Sequence, residues 1–412
     1  MSDRQREFDV IVYGASGFVG VLTARHLAAS APAGTRLALG GRSAAKLEQV
    51  KSRLGVDWPI VVADADDASA LATMAGRTRV VLTTVGPYAK YGRPLARVCA
   101  ETGTDYVDLT GEVLFARDSI DENHETARRT GARIVHSCGF DSIPSDIGVH
   151  VLHALVSADG EGELTDTTLV VTSLRGGFSG GTIDSMRHQV DVMKNDVRLR
   201  KIGASPYSLS PDRAAEPELG RQPDMPTLAG SDVDPSLRGH LAPFVMASYN
   251  TRVVRRSNAL RGWAYGRKFR YREVMSVGTS PAAPVIALAT KAALNALVIG
   301  FAVPPVRFLL DRILPAPGTG PSETAQRNGH FTMDIFTKTT SGARYRARVK
   351  AKGDPGYAAT AVMLGESALA LALDRDRLPE SEGGVLTPAT AIGDVLTDRL
   401  RTAGFEITAQ RL

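Results

Sequence analysis

The chain has 412 residues, 43% of them hydrophobic and 23% charged, a composition typical of a globular protein with two or three domains. Its net charge of +5 is small for this length and no run of Lys and Arg is dense, which excludes a nucleic-acid-binding groove. Cys99 and Cys138 are the only cysteines, so we expect reduced, buried thiols in a cytoplasmic protein and no disulfide framework. The polar first residues lead directly into an apolar run, and we expect no signal peptide there.

The stretch from Phe8 to Gly20 predicts a strand, a glycine turn and the start of a helix. In a dinucleotide-binding unit, Gly14 permits the tight turn, Gly17 lets a pyrophosphate approach the backbone, and Gly20 lets helix and strand pack closely. Free N–H groups of the first helical turn would hold the phosphates. An ordinary glycine turn is the alternative. The predicted cofactor contacts at this turn are Gly14, Ala15, Ser16, Gly17, Phe18 and Val19.

The second predicted strand, residues 36–42, ends in Gly-Arg-Ser, where NAD enzymes place an acid for the ribose 2′-hydroxyl. Arg42 beside Ser43, with Lys46 one turn on, suits a 2′-phosphate, so we predict NADP(H). The alternative for Arg42 is a surface residue at the sheet edge.

The third and fourth predicted strands, residues 60–64 and 80–85, add further candidates at their carboxyl ends. Asp64 either reaches the adenine or, with Asp66, caps the next helix. Val85, Gly86 and Pro87 are predicted to face the cofactor, and Tyr88 either meets the nicotinamide and substrate or is a packed loop aromatic. The cofactor-facing residues after the fourth strand are thus Val85, Gly86 and Pro87.

Alternating strands and helices continue to residue 138, which predicts an α/β fold with a Rossmann-type doubly wound parallel sheet. Pro94 is expected in the first turn of a helix that ends at Gly103, and Ser145 or Asp146 caps the helix after the sixth strand. Asp141 would stand at the carboxyl edge of the sheet, either as a functional acid or as a residue that turns the loop.

From about residue 166 the strand-like runs change character and predict a second, α+β domain with a mostly antiparallel sheet. Residues 205–236 are predicted to form a long loop or lid. We expect the dinucleotide-binding domain in residues 1–146, the second domain in 147–352, and C-terminal helices returning to the first domain in 353–412.

Gly177 to Gly181 fits G-x-S-x-G, which makes a serine hydrolase using Ser179 an alternative function. His150 and His153 lie three apart on a predicted helix without a third ligand, and we expect no metal site.

Residues 282–314 form a long apolar segment with Lys291 and Asn295 near its middle and two prolines near its end. These interruptions argue against a membrane-spanning helix. One interpretation is contact with a membrane surface, with Lys291, Arg307 and Arg312 meeting lipid phosphates. The other is a helix buried in the second domain or in a homodimer contact.

The chain resembles the saccharopine dehydrogenase-like oxidoreductases and, within them, the trans-acting enoyl reductases of lipid polyketide synthesis. The resemblance covers nearly the full length. It rests on YGASGFVG (13–20), GGRS (40–43), TVGPYAKYG (84–92), YVDLTGE (106–112), SCGFDSIPSD (137–146), SGGT (179–182), PGTGPSE (317–323), GDPGY (353–357) and GGVLTPATA (383–391).

This resemblance implies NADPH-dependent reduction of an enoyl thioester, carried by an acyl carrier domain of a polyketide synthase. A non-catalytic, membrane-associated NADP-binding protein is a further alternative. Enoyl reduction needs a polarised carbonyl and a proton for the α-carbon. Tyr88 is the first candidate for the donor near the carbonyl, and Asp141 is the second, as an orienting group.

Overall fold

The N-terminal third of the chain alternates strands and helices, as its apolar runs predict. The structure is a computed structural model that describes residues 6–176, 180–314 and 320–412. The alternating elements are β1 (Phe8–Tyr13), α1 (Phe18–Ser30), β2 (Leu37–Gly41), α2 (Ala44–Leu54), β3 (Ile60–Val62), α3 (Ala68–Gly76), β4 (Thr78–Thr83), α4 (Tyr88–Thr102), β5 (Asp105–Val107), α5 (Val113–Thr130) and β6 (Arg133–Val135).

The middle of the chain carries longer strands and two consecutive apolar helices. Its elements are α6 (Ile143–Ala158), β7 (Leu164–Arg175), α7 (Gly180–Asn195), α8 (Val197–Ala204), β8 (Leu228–Ala229), β9 (His240–Pro243), α9 (Ala247–Leu260), β10 (Arg270–Ser276), α10 (Ala283–Ala302), α11 (Pro304–Ile313), α12 (Glu323–Asn328), β11 (His330–Thr339) and β12 (Arg344–Lys352).

The C-terminal segment contributes to both halves of the molecule. A π-helical turn (Pro355–Ala359) leads into its elements, which are α13 (Thr360–Leu373), β13 (Gly384–Leu386), α14 (Pro388–Ala391), α15 (Asp394–Thr402) and β14 (Glu406–Arg411). β13 pairs with β6, β14 pairs with β12, and α13 packs against α1 and β4.

Sheet A has seven parallel strands in the order β3-β2-β1-β4-β5-β6-β13, so the strand order reverses between β1 and β4. β1 is buried throughout, and its side chains alternate between two cores. Val10 and Val12 pack in the core that includes α1 and α13, whereas Ile11 and Tyr13 pack in the core of α3 and α4. Burial on both faces explains why the residues from Val10 to Tyr13 are all apolar.

Sheet B also has seven strands, in the order β14-β12-β11-β7-β10-β9-β8. β7 and β10 are parallel, and the other described pairs are antiparallel. α6 joins the two halves, because Ile147, Leu152 and Val156 share one core with residues of both sheets. The predicted fold class, a Rossmann-type sheet followed by a mostly antiparallel one, is confirmed; the boundaries at residues 146 and 352 stay a prediction.

Two predicted helix starts are wrong. α4 begins at Tyr88, so Pro94 lies inside it, because the Glu112 carboxylate accepts the N–H groups of Tyr88 and Ala89 at 2.9 and 2.8 Å and caps the earlier start. α6 begins at Ile143 after Ser142. Neither of the predicted caps lies at the start of this helix. Ser145 instead donates to Glu273, and Asp146 accepts from Ser257 and from the Ala389 N–H.

Candidate functional site

The turn between β1 and α1 has the geometry that its glycines predict. Gly14 has φ +85°, and a Cβ there would lie 2.7 Å from Val85 Cγ2. A Cβ on Gly20 would lie 2.2 Å from the Gly14 carbonyl oxygen, so only glycine lets the helix pack this close to the turn. At Gly17, in contrast, the nearest atom to an added Cβ is the Gly14 oxygen at 3.3 Å. The backbone at Gly17 is therefore open to a ligand.

The N-terminus of α1 leaves backbone donors free. Gly17 is the N-cap, and no side chain caps the helix. Within the described residues, the N–H groups of Phe18 and Val19 donate to no acceptor. Ala15 donates instead to the Gly40 carbonyl at 3.2 Å, and the side chain of Ser16 is exposed. Free donors and the helix dipole together make this turn suitable for phosphates.

Arg42 follows the carboxyl end of β2. Arg42 is exposed and makes no hydrogen bond or ion pair with any residue that the structure describes. Ser43 caps α2 by accepting the Lys46 N–H at 3.4 Å, and Lys46 is itself exposed. A free guanidinium beside a helix start fits the 2′-phosphate of NADPH.

Asp64 lies at the end of β3, exposed, and accepts the Asp66 N–H at 3.1 Å. The proposed capping by Asp64 and Asp66 is wrong, since α3 is capped by Asp67, which accepts the N–H groups of Ser69 and Ala70. Asp67, one residue after Asp66, has the geometry of an N-cap. The second carboxylate oxygen of Asp64 makes no hydrogen bond with the described residues and stays available near the predicted adenine side.

A cavity of about 310 Å³ opens where the strand order of sheet A reverses. One wall is the cofactor edge, formed by residues 17–19 and by the turn after β4 with Thr84, Gly86 and Pro87. The Thr84 hydroxyl donates to the Gly14 carbonyl at 3.2 Å, which holds the turn after β4 beside the glycine turn. The facing wall is formed by α7 (Gly181, Thr182, Asp184, Ser185, Met186, Gln189), by the residues just before α9 and its first turn (Val245, Met246, Ser248, Tyr249), and by Tyr357.

Asp141 opens on this cavity from the loop between β6 and α6. Its carboxyl makes no hydrogen bond with the described residues, and the neighbouring Gly111 would place a Cβ only 3.6 Å from Oδ2. Enclosure by the protein raises the pKa of Asp141 to about 7. A carboxyl that is protonated near neutral pH, and that has no protein partner, can donate a proton to a bound molecule.

Tyr88 contributes its ring to the cavity wall, but its hydroxyl points elsewhere. The hydroxyl donates to the Thr83 carbonyl at 3.2 Å and accepts the Leu109 N–H at 3.4 Å, and the ring packs against Phe115. Burial, together with the charge of Asp108, holds the pKa of Tyr88 well above its usual value. Of the two interpretations of Tyr88, these contacts fit the packed loop aromatic.

Tyr249 is a cavity residue that sequence reasoning missed. Its hydroxyl is 2.5 Å from the Ser137 hydroxyl, and burial raises its pKa, so it stays protonated. Ser137 is held by Asp108, whose carboxylate accepts the Ser137 N–H at 2.9 Å and also contacts His136 and Tyr106. The motif YVDLTGE therefore supplies the network behind the cavity wall.

Glu112, the last residue of the same motif, joins α7 to sheet A. Besides capping α4, its carboxylate accepts the Ser185 hydroxyl at 2.6 Å. One helical turn on, Gln189 accepts the Val113 N–H at 3.2 Å. These two contacts hold α7 across the cavity.

The cavity is poor in positive charge. Among its described lining residues Asp141 and Asp184 are the charged ones, and none is Lys, Arg or His. A substrate carboxylate would find no cation here, whereas a neutral acyl group would meet Met, Val and aromatic side chains.

Comparison with known proteins gives the chain its family. Residues 10–135 match the saccharopine dehydrogenase NADP binding domain. The trans-acting enoyl reductase of Mycobacterium tuberculosis (strain ATCC 25618 / H37Rv) is 50% identical over 421 residues, covering 100% of both chains. The chain belongs to the trans-acting enoyl reductase family. The family member of Mycobacterium ulcerans (strain Agy99) is 49% identical over 421 residues, again with full coverage of both chains.

A solved structure shows the same fold at much lower sequence identity. Apo histidine-tagged saccharopine dehydrogenase (L-Glu forming) from Saccharomyces cerevisiae matches with a TM-score of 0.53 and 14% identity, over 98% of this chain and 99% of that chain. This chain therefore shares its overall fold with that dehydrogenase.

This member of the trans-acting enoyl reductase family is an NADP-dependent oxidoreductase, and the prediction of NADP(H) is confirmed. The open backbone at Gly17, the free N–H groups of α1 and the lone Arg42 fit that cofactor. The individual contacts of the cofactor stay a prediction. Ser179 lies outside the described residues, and the relatives do not favour a serine hydrolase or a non-catalytic protein.

Proposed function

We propose that this cytoplasmic enzyme reduces the double bond of an α,β-unsaturated acyl thioester while an acyl carrier domain of a polyketide synthase presents the substrate. The names of the full-length relatives support an enoyl substrate and a carrier supplied in trans. The acyl carrier is the partner that this mode of action requires.

The observation that carries the proposal is the position of Asp141 in a cavity without cations. Asp141 opens on the cavity whose other wall is the predicted cofactor edge. An amino-acid substrate with two carboxylates would be repelled by Asp184 and would lack a counter-ion among the described residues. A thioester is uncharged at its reacting atoms, so its acyl part fits this lining better.

In the proposed mechanism, bound NADPH supplies a hydride to the β-carbon. Asp141 holds a proton on its carboxyl group and gives it to the α-carbon, so that hydride and proton together saturate the double bond. The Tyr249 hydroxyl, fixed by Ser137, donates a hydrogen bond to the thioester carbonyl oxygen and stabilises the charge that develops there. The carboxylate of Asp141 then takes a proton from water.

This assignment replaces Tyr88 as the donor near the carbonyl. The Tyr88 hydroxyl already donates to Thr83. Donation to substrate would break that contact and leave a buried carbonyl unpaired, at a cost of about 1–3 kcal/mol. Tyr88 acts here by shaping the cavity.

The test is the oxidation of NADPH by the full chain with a short enoyl thioester such as crotonyl-CoA. Asp141→Asn should lower kcat by about a hundredfold or more and leave NADPH affinity unchanged. Because the pKa of Asp141 is raised to about 7, the acid form is present below that pH and lost above it. The kcat of the native enzyme should therefore fall as pH rises through 7, and that of the Asn variant should not.

Glu273 provides a matched control, since burial raises its pKa to about 7 as well. Its carboxylate lies away from the cavity and accepts from Ser145, Tyr271 and Asn250. Glu273→Gln should retain the pH profile of kcat. Full activity of Asp141→Asn, or thioester cleavage without consumption of NADPH, would contradict the proposal.

A further inference from the structure

Most of the exposed large apolar side chains of the described residues lie on one part of the surface. It lies on the apolar hairpin, which we define as α10 and α11 with Val303 between them. Val285 is 70% exposed, Phe308 61% and Ile313 71%. Of the fourteen large apolar residues that are exposed in the described chain, ten lie here: Val285, Ile286, Leu288, Val298, Ile299, Val303, Val306, Phe308, Leu309 and Ile313.

This exposure is not that of a core helix. Among the described residues, two helical segments are long and apolar enough to cross a membrane, residues 283–302 and 355–373. The second is 78% buried, because α13 packs between α1 and sheet A, whereas the first is only 17% buried. The interpretation of α10 as a helix buried in the second domain is therefore wrong.

The attachment of α10 also excludes a spanning orientation. Ala283 and Ala287 are buried at its beginning, where the helix packs on β9. Gly300 and Phe301 are buried at its end, and a Cβ on Gly300 would lie 3.0 Å from Leu310, so α11 folds back against it. With both ends fixed to the same body, the helix, about 30 Å long, lies along the surface.

The charge on the hairpin is positive. Its sequence carries three cations, Lys291, Arg307 and Arg312, against one acid, Asp311, which is a net charge of +2. Lys291 and Arg312 form no salt bridge with described residues, and the Arg312 guanidinium lies 4.1 Å from the centre of the exposed Phe308 ring. Arg307, in contrast, pairs with Asp191 at 2.6 Å, so Lys291 and Arg312 are the better candidates for contact with lipid phosphates, and the expectation for Arg307 stays a prediction. Exposed apolar side chains with adjacent cations are the pattern of an interfacial helix.

The hairpin is also joined to the cavity through α7. Residues of α7 from Gly181 to Gln189 line the cavity, and the same helix also contacts α10. Lys194 donates to the Ala302 carbonyl at 2.8 Å, and the Arg187 guanidinium lies 5.7 Å from the centre of the Phe301 ring. A surface that covers the hairpin therefore lies next to the wall of the cavity.

We propose that the apolar hairpin docks on an anionic lipid bilayer, with Val285, Leu288 and Phe308 among the side chains that enter the interface and Lys291 and Arg312 at the phosphates. A second copy of the chain would complement this face less well. A two-fold contact would bring two net positive faces together, with Asp311 as the one acid that each hairpin's own sequence offers. The proposed docking depends only on the features of the hairpin. The further claim, that docking brings the enzyme to a lipid-like acyl substrate, rests on the proposed function.

The experiment is flotation of the full chain with vesicles of phosphatidylcholine containing phosphatidylglycerol, compared with phosphatidylcholine alone. We expect binding to the anionic vesicles that weakens as salt is added. Leu288→Asp combined with Ile299→Asp should lower the bound fraction at least about tenfold, because both side chains are exposed and would enter the interface. Lys291→Glu combined with Arg312→Glu should lower it as well.

Leu412→Asp is the matched control, since it places the same charge on an exposed leucine. Leu412 follows β14, an edge strand of sheet B. The strand on which α10 packs, β9, is five strand spacings or about 24 Å away. This variant should float like the native protein. All variants should oxidise NADPH with crotonyl-CoA at the native rate, so a failure of docking is distinguishable from a failure of the proposed function.

Absence of flotation in low salt, or flotation of the Leu288→Asp and Ile299→Asp variant at the native level, would overturn the proposal. So would a native protein that light scattering shows to be a dimer, that does not float, and that becomes a monomer in this variant. In that case a second copy covers the hairpin.

Discussion

At the scale of single residues, neither Arg42 nor Asp141 has a partner among the described side chains. This is ordinary for the exposed Arg42 but unusual for Asp141, because a carboxyl group enclosed by the protein is normally paired or hydrogen-bonded. Both residues lie at carboxyl ends of strands in sheet A, Arg42 after β2 and Asp141 after β6. Each is therefore free to interact with a molecule that the protein binds.

The first prediction concerns Arg42. Arg42→Ala should weaken NADPH binding at least about tenfold, or roughly 1.4 kcal/mol, because the 2′-phosphate loses its cation. NADH affinity should stay the same, since that cofactor lacks the phosphate. A fluorescence titration with both cofactors measures the difference. Lys51→Ala is the control, because Lys51 lies on the adjacent α2 and is paired with Asp57. Equal affinity of the native protein for NADPH and NADH would contradict the role of Arg42.

Single residues also show how far sequence reasoning extends. Gly14 and Gly20 could be predicted because their spacing belongs to a local strand–turn–helix unit. The hydroxyl of Tyr88 could not be placed, since its partners Thr83 and Leu109 depend on how β4 and β5 pair. Tyr249 could not be found at all, because it reaches Ser137 from a helix more than a hundred residues away in sequence.

At the scale of elements, the N-terminus of α4 and the position of α7 depend on one carboxylate. Glu112 accepts two N–H groups of α4 and the Ser185 hydroxyl of α7. A capping interaction of this kind is normally made by a residue next to the helix. Here the cap is 24 residues away, which is why the sequence suggested a later helix start at Pro94.

The second prediction follows from this cap. Glu112→Ala should lower the free energy of unfolding by about 1–3 kcal/mol, because two N–H groups lose their acceptor in a buried position. It should also lower kcat/KM, since α7 loses its contact through Ser185. Thermal unfolding and NADPH oxidation measure the two effects. Glu101→Ala, at the exposed far end of α4, should change neither. Native stability in Glu112→Ala would show that water or another group replaces the cap.

At the scale of the whole molecule, the C-terminal segment holds the two sheets together. The buried Arg133 of β6 donates to the carbonyls of Ala391 and Pro379 at 2.6 and 2.8 Å. Arg256 of α9 donates to the carbonyl of Val385 in β13. The sequence indicated helices in this region and a closing strand near residue 405, but not β13, whose three residues carry no periodicity of their own.

The third prediction tests this connection. Arg133→Ala should lower the free energy of unfolding by about 3 kcal/mol, because two buried carbonyls lose a charged donor. Chemical denaturation measures the loss. Arg129→Ala is the control, since Arg129 is exposed on the neighbouring α5 and donates to the Thr126 hydroxyl of its own helix. Equal destabilisation by both substitutions would contradict a specific role of the buried guanidinium.

The pairing of β13 and β14 has a consequence for how the protein is made. Both strands belong to the last 29 residues of the chain, Gly384 to Leu412, yet each forms an edge of a different sheet. During synthesis on the ribosome, the N-terminal strands emerge first, but neither sheet can be completed until the end of the chain is free. Such distant pairings make folding slow. The nascent protein therefore exposes unpaired edges at β6 and β12 until β13 and β14 have been synthesised, and we expect it to depend on chaperones during that interval.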